Sequence, residues 1–376
     1  MSNLLEKASI ILTPTAYNTS EALCVKPSDG SGDFDFSRAT DATRINSLGL
    51  VETIGINLPR INYENGCGSW LFEPQTSQLV TYSEDFSNAA WTKNVVTLES
   101  GYLAPDGTNN AYKVSGSVNM NDVNITGLVA TSTRSIYART VSGTGTAQLL
   151  THNSNTNNVF TITEQWQRFE VSTANATFTN FFYAIDFRGV GTLSEIILWG
   201  ANATNDQDYA TSYIPSNGST VTRNQDVCTN GGSLATINST EGTLYAEIKA
   251  LANDLSFRSI GLSDGTANNR ILILYTDVSN GIRVLIFRNN LLQVILNHTI
   301  NITDVNKVAV RYKFNNVTFW VNGVKLSTDT TAFMPIGLNQ LSFSRGDGDL
   351  PFFGKTKCLA VFPYLTDAEL TELTTI

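Results

Sequence analysis

The chain has 376 residues, enough by the usual size prior for roughly two to three domains. Hydrophobic residues make up 41% and charged residues only 15%, with Thr, Ser, Asn and Gly filling the difference. Helix surfaces need Glu, Lys and Arg, so this composition excludes a coiled coil, a mostly helical enzyme and a disordered polyelectrolyte. The net charge is −9 with no Lys/Arg block, which excludes nucleic-acid partners and an anionic membrane surface. No apolar run approaches the ~18–20 residues that span a bilayer, so no membrane insertion is expected.

Residues 1–75 read as an irregular segment. The apolar stretch Ala8 to Leu12 is too short for a signal-peptide core, so the protein is expected to be made and kept in a cytoplasm. Ser28-Asp29-Gly30-Ser31 and Asn65-Gly66-Cys67-Gly68 are turn clusters, and no sustained period lies between them. The segment is expected to serve assembly or attachment.

Residues 76–227 carry strand-like runs at Val159 to Thr163, Trp166 to Ser172, Phe181 to Phe187 and Ser194 to Gly200, with turn residues such as Asn153 to Asn158 between them. Their spacing suits an all-β sandwich, with Trp166 and Trp199 in its core. Residues 228–238 have linker composition. A second β domain then fills 228–376. Lys307 to Phe314 puts Val308, Val310 and Tyr312 on one face and Arg311 on the other. Val317, Phe319 and Val321 repeat the pattern before Asn322-Gly323, a hairpin turn signal. Thr366-Asp367-Ala368-Glu369 is a capping box opening one short C-terminal helix. The expected fold is therefore all-β: two β-sandwich (jelly-roll) domains behind an irregular N-terminal segment.

Catalytic signatures are missing. There is no GxSxG elbow, HExxH, Walker A loop or GxGxxG. His152 and His298 are the only histidines, and neither has a nucleophile or ligand set beside it, so no enzyme is expected. Carboxylate pairs such as Glu84/Asp85 and Asp347/Asp349 are, on a β-sandwich, turn residues or calcium ligands before they are catalytic. A structural calcium is the one cofactor they would take. Cys24, Cys67, Cys228 and Cys358 are widely spaced and are expected as free, buried thiols.

A sugar lays its C–H face on a flat ring and offers its hydroxyls to Asn, Asp and Arg. Trp320 alternates out of phase with Val317, Phe319 and Val321, so it faces away from the core, on the side of Arg311. Asp264, Asn269 and Arg270 form a polar loop and strand start. These five residues are the expected glycan contacts. The alternative is packing, since the terminal helix also needs a surface and Trp is usually well buried.

Several strings resemble structural and adhesin-like proteins of tailed bacteriophages, especially phages of Bacteroidetes hosts, including crAss-like phages. They are Leu4 to Tyr17, Asp33-Phe34-Asp35-Phe36-Ser37-Arg38-Ala39-Thr40-Asp41-Ala42-Thr43-Arg44-Ile45-Asn46, Gly49-Leu50-Val51-Glu52, Leu58-Pro59-Arg60-Ile61 and Trp70-Leu71-Phe72-Glu73-Pro74-Gln75. Tyr82-Ser83-Glu84-Asp85-Phe86 to Lys93 resembles the entry into a carbohydrate-binding-module-like jelly roll, and Ala210 to Pro215 with Val221-Thr222-Arg223 resembles the exit. The final 130 or so residues are similar to a concanavalin A/laminin-G-like sandwich, as in Phe343-Ser344-Arg345-Gly346. The resemblance implies a non-enzymatic virion protein, a fibre or spike assembled in the host bacterial cytoplasm. Its partners would be other virion proteins, host-surface carbohydrate and, by analogy, two further copies in a homotrimer. The rivals are a glycan hydrolase or depolymerase on a lectin-like sandwich, and a purely structural capsid or tail decoration protein.

Overall fold

A computed structural model describes residues 2–122, 125–129, 131–151, 158–172 and 182–376. Among them nearly every regular element is a strand, and helix is confined to a turn at Ser2–Leu5 and to Asp367–Thr374. The fold is all-β, as the composition dictates. Asn and Gly take the left-handed backbone where strands reverse: Asn280 has φ 57°, Asn322 49° and Gly323 84°. No helix among the described residues is long and apolar enough to cross a membrane.

The chain divides into two compact units, each assembled from separated stretches. The first holds residues 1–39, 55–74 and 225–376, and the second holds 40–54 and 75–224. The chain thus passes between units at 39/40, 54/55, 74/75 and 224/225.

In the first unit a large sheet runs, in spatial order, Val324–Asp329, Val317–Val321, Asn306–Lys313, Glu241–Ala250, Gly354–Phe362, Cys67–Phe72 and Ile61–Glu64. Ile10–Leu12 also pairs with Gly354–Phe362, Ile11 opposite Ala360. A five-stranded sheet has the order Leu291–Thr299, Gly281–Arg288, Arg270–Tyr275, Arg258–Ser263 and Gln340–Ser342. Val308, Val310 and Tyr312 bury their predicted face in a core shared with Ile271, Ile273, Val284 and Ile286. Alternation along each strand is what delivers them there.

Residues 1–75 differ from the irregular arm expected. Ile10–Leu12 and Cys67–Phe72 are strands of the large sheet, and Phe34 and Trp70 are fully buried in its core. Residues 228–238 likewise do not behave as a linker. Val227–Thr229 pairs with Phe34–Ser37, and Cys228 is a core residue. Gly231 lies against Phe34, where a Cβ would sit 2.3 Å from the ring.

A buried charge network gathers all four crossing points on the side of the first unit. Asp226 accepts from Arg38 Nη1 at 2.9 Å and from Arg60 Nη2 at 2.5 Å. Arg60 Nη1 donates to Glu73 at 2.7 Å, the Glu73 amide donates to Asp226 at 2.8 Å, and Arg38 Nη2 donates to the Gly55 carbonyl at 2.8 Å. The Arg38, Arg60 and Asp226 side chains are fully buried. Burial disfavours the Arg60 charge, and Asp226 with Glu73 more than offsets this, so its pKa lies above the ordinary arginine value.

The second unit is a sandwich built around the long strand Ala111–Asp122. One end, 119–122, pairs with Tyr183–Asp186, and the other, 112–115, pairs with Glu195–Thr204. Gly145–Leu149 and Val159–Ile162 extend the first side, while Thr133–Arg139 and Gln167–Val171 extend the second. Trp91–Tyr102 runs beside the long strand with a bulge at Val95, φ 54°. Gly116 faces that bulge, where a Cβ would sit 2.4 Å from the Val95 carbonyl oxygen. Met120, Ile136, Leu149, Ile185 and Leu198 fill the core. Trp199 packs with Tyr213, Val51 and Tyr137 in a second cluster, with Trp166 half-buried at its side. Phe181, His152 and most of the Asn153 to Asn158 turn lie outside the described residues.

Candidate functional site: a polar cleft in the second unit

The jelly-roll entry and exit strings, distant in sequence, run side by side. Ser83 N–H donates to the Ser216 carbonyl at 3.2 Å, Gly218 N–H donates to Thr81 O at 2.7 Å, and Tyr82 bridges Asn217. Where they meet the start of the long strand lies a cleft of about 660 Å³. Glu84, Asp85, Asn109, Asn110, Tyr112 and Asn217 supply its polar lining.

Behind the cleft runs a fixed chain of hydrogen bonds. Tyr213 OH donates to Glu84 Oε1 at 2.8 Å and also contacts Ser83 Oγ at 2.7 Å. Asn110 Nδ2 donates to Glu84 Oε2 at 2.9 Å, and Asn110 Oδ1 accepts from Trp199 Nε1 at 2.9 Å. Trp199 and Tyr213 pack with ring centroids 4.6 Å apart and planes tilted by 52°. Buried aromatics thereby hold the carboxamide and carboxylate in one geometry.

The adjacent acids are pushed apart. Burial raises the Glu84 pKa, against the hydrogen bonds from Tyr213 and Asn110. Asp85 is lowered, first by the Ser87 hydroxyl and then by Tyr112 OH, which donates at 3.2 Å. Both Glu84 oxygens and Asp85 Oδ1 are engaged by side chains, and among the described residues no third His, Cys, Asp or Glu joins them, so the pair lacks the ligand set of the calcium site expected from sequence.

Asp347 and Asp349 differ from expectation in the same way. Arg345 Nε donates to Asp347 at 3.0 Å, and Nη2 reaches Asp347 at 2.5 Å and Asp349 at 2.6 Å. A guanidinium stands where the cation was expected. Among the described residues no group of three or more His, Cys, Asp or Glu could hold a metal ion.

The five expected glycan contacts separate into two sets on different sheets. Arg311 and Trp320 do come together, as hairpin pairing requires, with Ala309 opposite Trp320. Both lie beneath the C-terminal helix. Trp320 is only 4% exposed among Leu365, Leu370 and Leu373, and Arg311 Nη1 donates to Leu365 O at 3.0 Å and Asp367 at 2.6 Å. Alternation placed the ring on the outer face; the helix then closed that face. In the other sheet Asn269 Nδ2 donates to Asp264 at 2.9 Å, and Asn269 Oδ1 accepts from the Asn289 and Ile336 amides. Arg270 is buried, its guanidinium carbon 3.7 Å from the Phe287 ring centroid. Asp264 and Asn269 thus tie turns together, and Arg270 stacks on Phe287 with its Nε and Nη1 making no hydrogen bond. His298 contacts Ser327 Oγ at 3.0 Å and packs on Phe319.

The four cysteines are free, as expected. Cys228 is buried and Cys24 and Cys358 are partly so, but Cys67 is exposed. Burial raises the Cys24 and Cys358 thiols to about 12.

No family model and no curated protein matches the sequence. Among solved structures the chain is similar to the CBM40 of the Ruminococcus gnavus IT-sialidase, at 18% identity and TM-score 0.33, covering 39% of this chain and 93% of that one. It is similar to domain 4 of AbnA, a GH43 extracellular arabinanase from Geobacillus stearothermophilus in complex with arabinotriose, at 13% identity and TM-score 0.34, covering 45% and 84%. It is also similar to the Caenorhabditis elegans galectin LEC-6, at 10% identity and TM-score 0.26, covering 33% and 83%.

Proposed function

We propose that this chain is a non-enzymatic protein of a bacteriophage virion, a fibre or spike component that meets host-surface glycan through the cleft of the second unit. The observation that carries glycan contact is the cleft itself. Carboxamides and carboxylates on a hydrogen-bonded backing, with Tyr112 beside them, offer both donors and acceptors to sugar hydroxyls. The virion assignment rests on the strings quoted above. In this reading the protein is assembled in the host cytoplasm, resides in the virion beside other virion proteins, and forms a homotrimer.

A second reading, glycoside hydrolysis, draws on one observation: two neighbouring carboxyls whose pKa values move in opposite directions. Binding is preferred because both Glu84 oxygens already accept from Tyr213 and Asn110. Incubating the purified protein with host-surface polysaccharide separates the two. Retention of polysaccharide with no new reducing ends supports binding. Release of reducing ends that disappears in Glu84→Gln supports hydrolysis.

A further inference from the structure

We propose that the cleft of the second unit selects its glycan by charge: it takes sugars without acidic groups, prefers one carrying a free ammonium, and turns away sialic and uronic acids. This deepens the glycan-contact reading and rests on it.

The argument begins with the lining. Glu84 and Asp85 are its charged members, and among the described residues no Lys, Arg or His lines it. Asp106 lies close enough to act on Glu84 as a like charge. Lys93 lies close enough to feel the Asp85 charge, and its ammonium is held by the Ser87 and Asn88 carbonyls at 2.9 and 2.6 Å. Lys113, on the strand that carries Tyr112, is paired with Glu99 at 2.6 Å. The carboxylates of Glu84, Asp85 and Asp106 therefore outnumber the Lys93 ammonium, while Lys113 is balanced by Glu99.

Recognition of a sugar carboxylate calls for a guanidinium fork or an ammonium in the lining. Among the described residues this lining has neither. A sialic or uronic acid would bring a third carboxylate toward Glu84 and Asp85, and like charges in a partly desolvated cleft repel strongly. A neutral hexose meets only the carboxamides, the Tyr112 hydroxyl and the carboxylate acceptors. A glucosamine-type ammonium finds Asp85, which its hydrogen bonds keep ionised well below neutral pH.

The test uses the full chain and saccharides matched except for charge. Titration calorimetry at low salt compares a chitosan oligomer with its N-acetylated counterpart, and lactose with 3′-sialyllactose. The expected result is about tenfold tighter binding of the free amine than of its acetylated partner, the gap closing as salt is raised, and weaker binding of sialyllactose than of lactose. Asp85→Asn keeps an acceptor oxygen for Ser87 and Tyr112 while removing the charge, and it should shrink the amine preference. Because the salt series is run on the unaltered protein, the outcome does not hang on that variant folding. Sialyllactose bound as well as lactose, with Asn217→Ala weakening both, overturns the charge selection and leaves the cleft as a sugar site. Binding that Asn109→Ala and Asn217→Ala leave unchanged, or no binding by any member of the series, overturns the glycan reading and the selection with it.

Discussion

Tyr213 donates its hydroxyl proton to Glu84 at 2.8 Å, joining residues 129 positions apart. That bond closes the second unit on itself: the segment that enters the sandwich and the segment that leaves it meet at one carboxylate. The cleft is a by-product of this closure. The entry string supplies Glu84 and Asp85 to its lining, the exit segment supplies Asn217, and Asn109, Asn110 and Tyr112 come from the start of the long strand and the residues just before it.

Trp320 is expected to matter for stability and not for ligand. It is buried under Leu365, Leu370 and Leu373, with Nε1 donating to Thr318 Oγ1 at 3.0 Å. Trp320→Ala should cost ~3–5 kcal/mol, as for other core aromatics, with glycan binding by the remaining folded protein unchanged. Chemical denaturation and titration calorimetry on one preparation read both.

The crossing-point network predicts a steep penalty for removing one partner. Asp226→Ala leaves Arg38 and Arg60 facing each other without their shared carboxylate, and loss of one member of a buried ion pair typically costs ~3–5 kcal/mol. Denaturant unfolding should show a lowered midpoint. An unchanged midpoint would mean that the network does not hold the crossing points.

The thiols should divide by exposure. Cys67 is exposed, whereas burial lifts Cys228 well above the ordinary thiol value and Cys24 and Cys358 to about 12. A thiol reagent at neutral pH should label Cys67 quickly and the others only after denaturation. Intact mass of the labelled native protein is the readout.

Docking of the C-terminal helix should weaken in acid. Lys7, with the Thr366 backbone and hydroxyl, holds the Glu369 carboxyl at about 2, below its ordinary 4.5. A depressed carboxylate contributes stability that is fully present above the unfolded value and lost as pH falls through the folded one. The window is therefore pH 4.5 down to about 2. Protection factors of the Asp367–Thr374 amides, corrected for the intrinsic pH dependence of exchange, should fall across it, and Lys7→Met should remove much of that dependence.

Local patterns in the sequence carried the elements well. Val308, Val310 and Tyr312 announced their buried face by alternation, Asn322-Gly323 announced its turn, and Thr366 to Glu369 form the capping box as written. What covers an outward face is not local, so the burial of Trp320 and Arg311 was not legible. Residues 1–75 misled for a related reason. Ile10–Leu12 is three residues long and buried throughout, so it has no polar alternate to mark it as a strand. Glu84 and Asp85 stood out as acids, but nothing within their neighbourhood in the chain points to Tyr213, Asn110 or Asn217. Arg38, Arg60 and Glu73 were visible only as members of strings, and Asp226 stood outside them. Their burial as one network required the fold.

The account's central claim is that the cleft of the second unit binds glycan, and its most direct measurement is the affinity of the strongest array-identified saccharide for the protein and for the double variant Asn109→Ala, Asn217→Ala. Both residues are exposed on the cleft and lie outside the hydrogen-bond chain behind it, so the melting temperature should hold. Losing two polar contacts predicts affinity weakened about tenfold or more. Equal affinity for the two proteins, both folded, would contradict the claim.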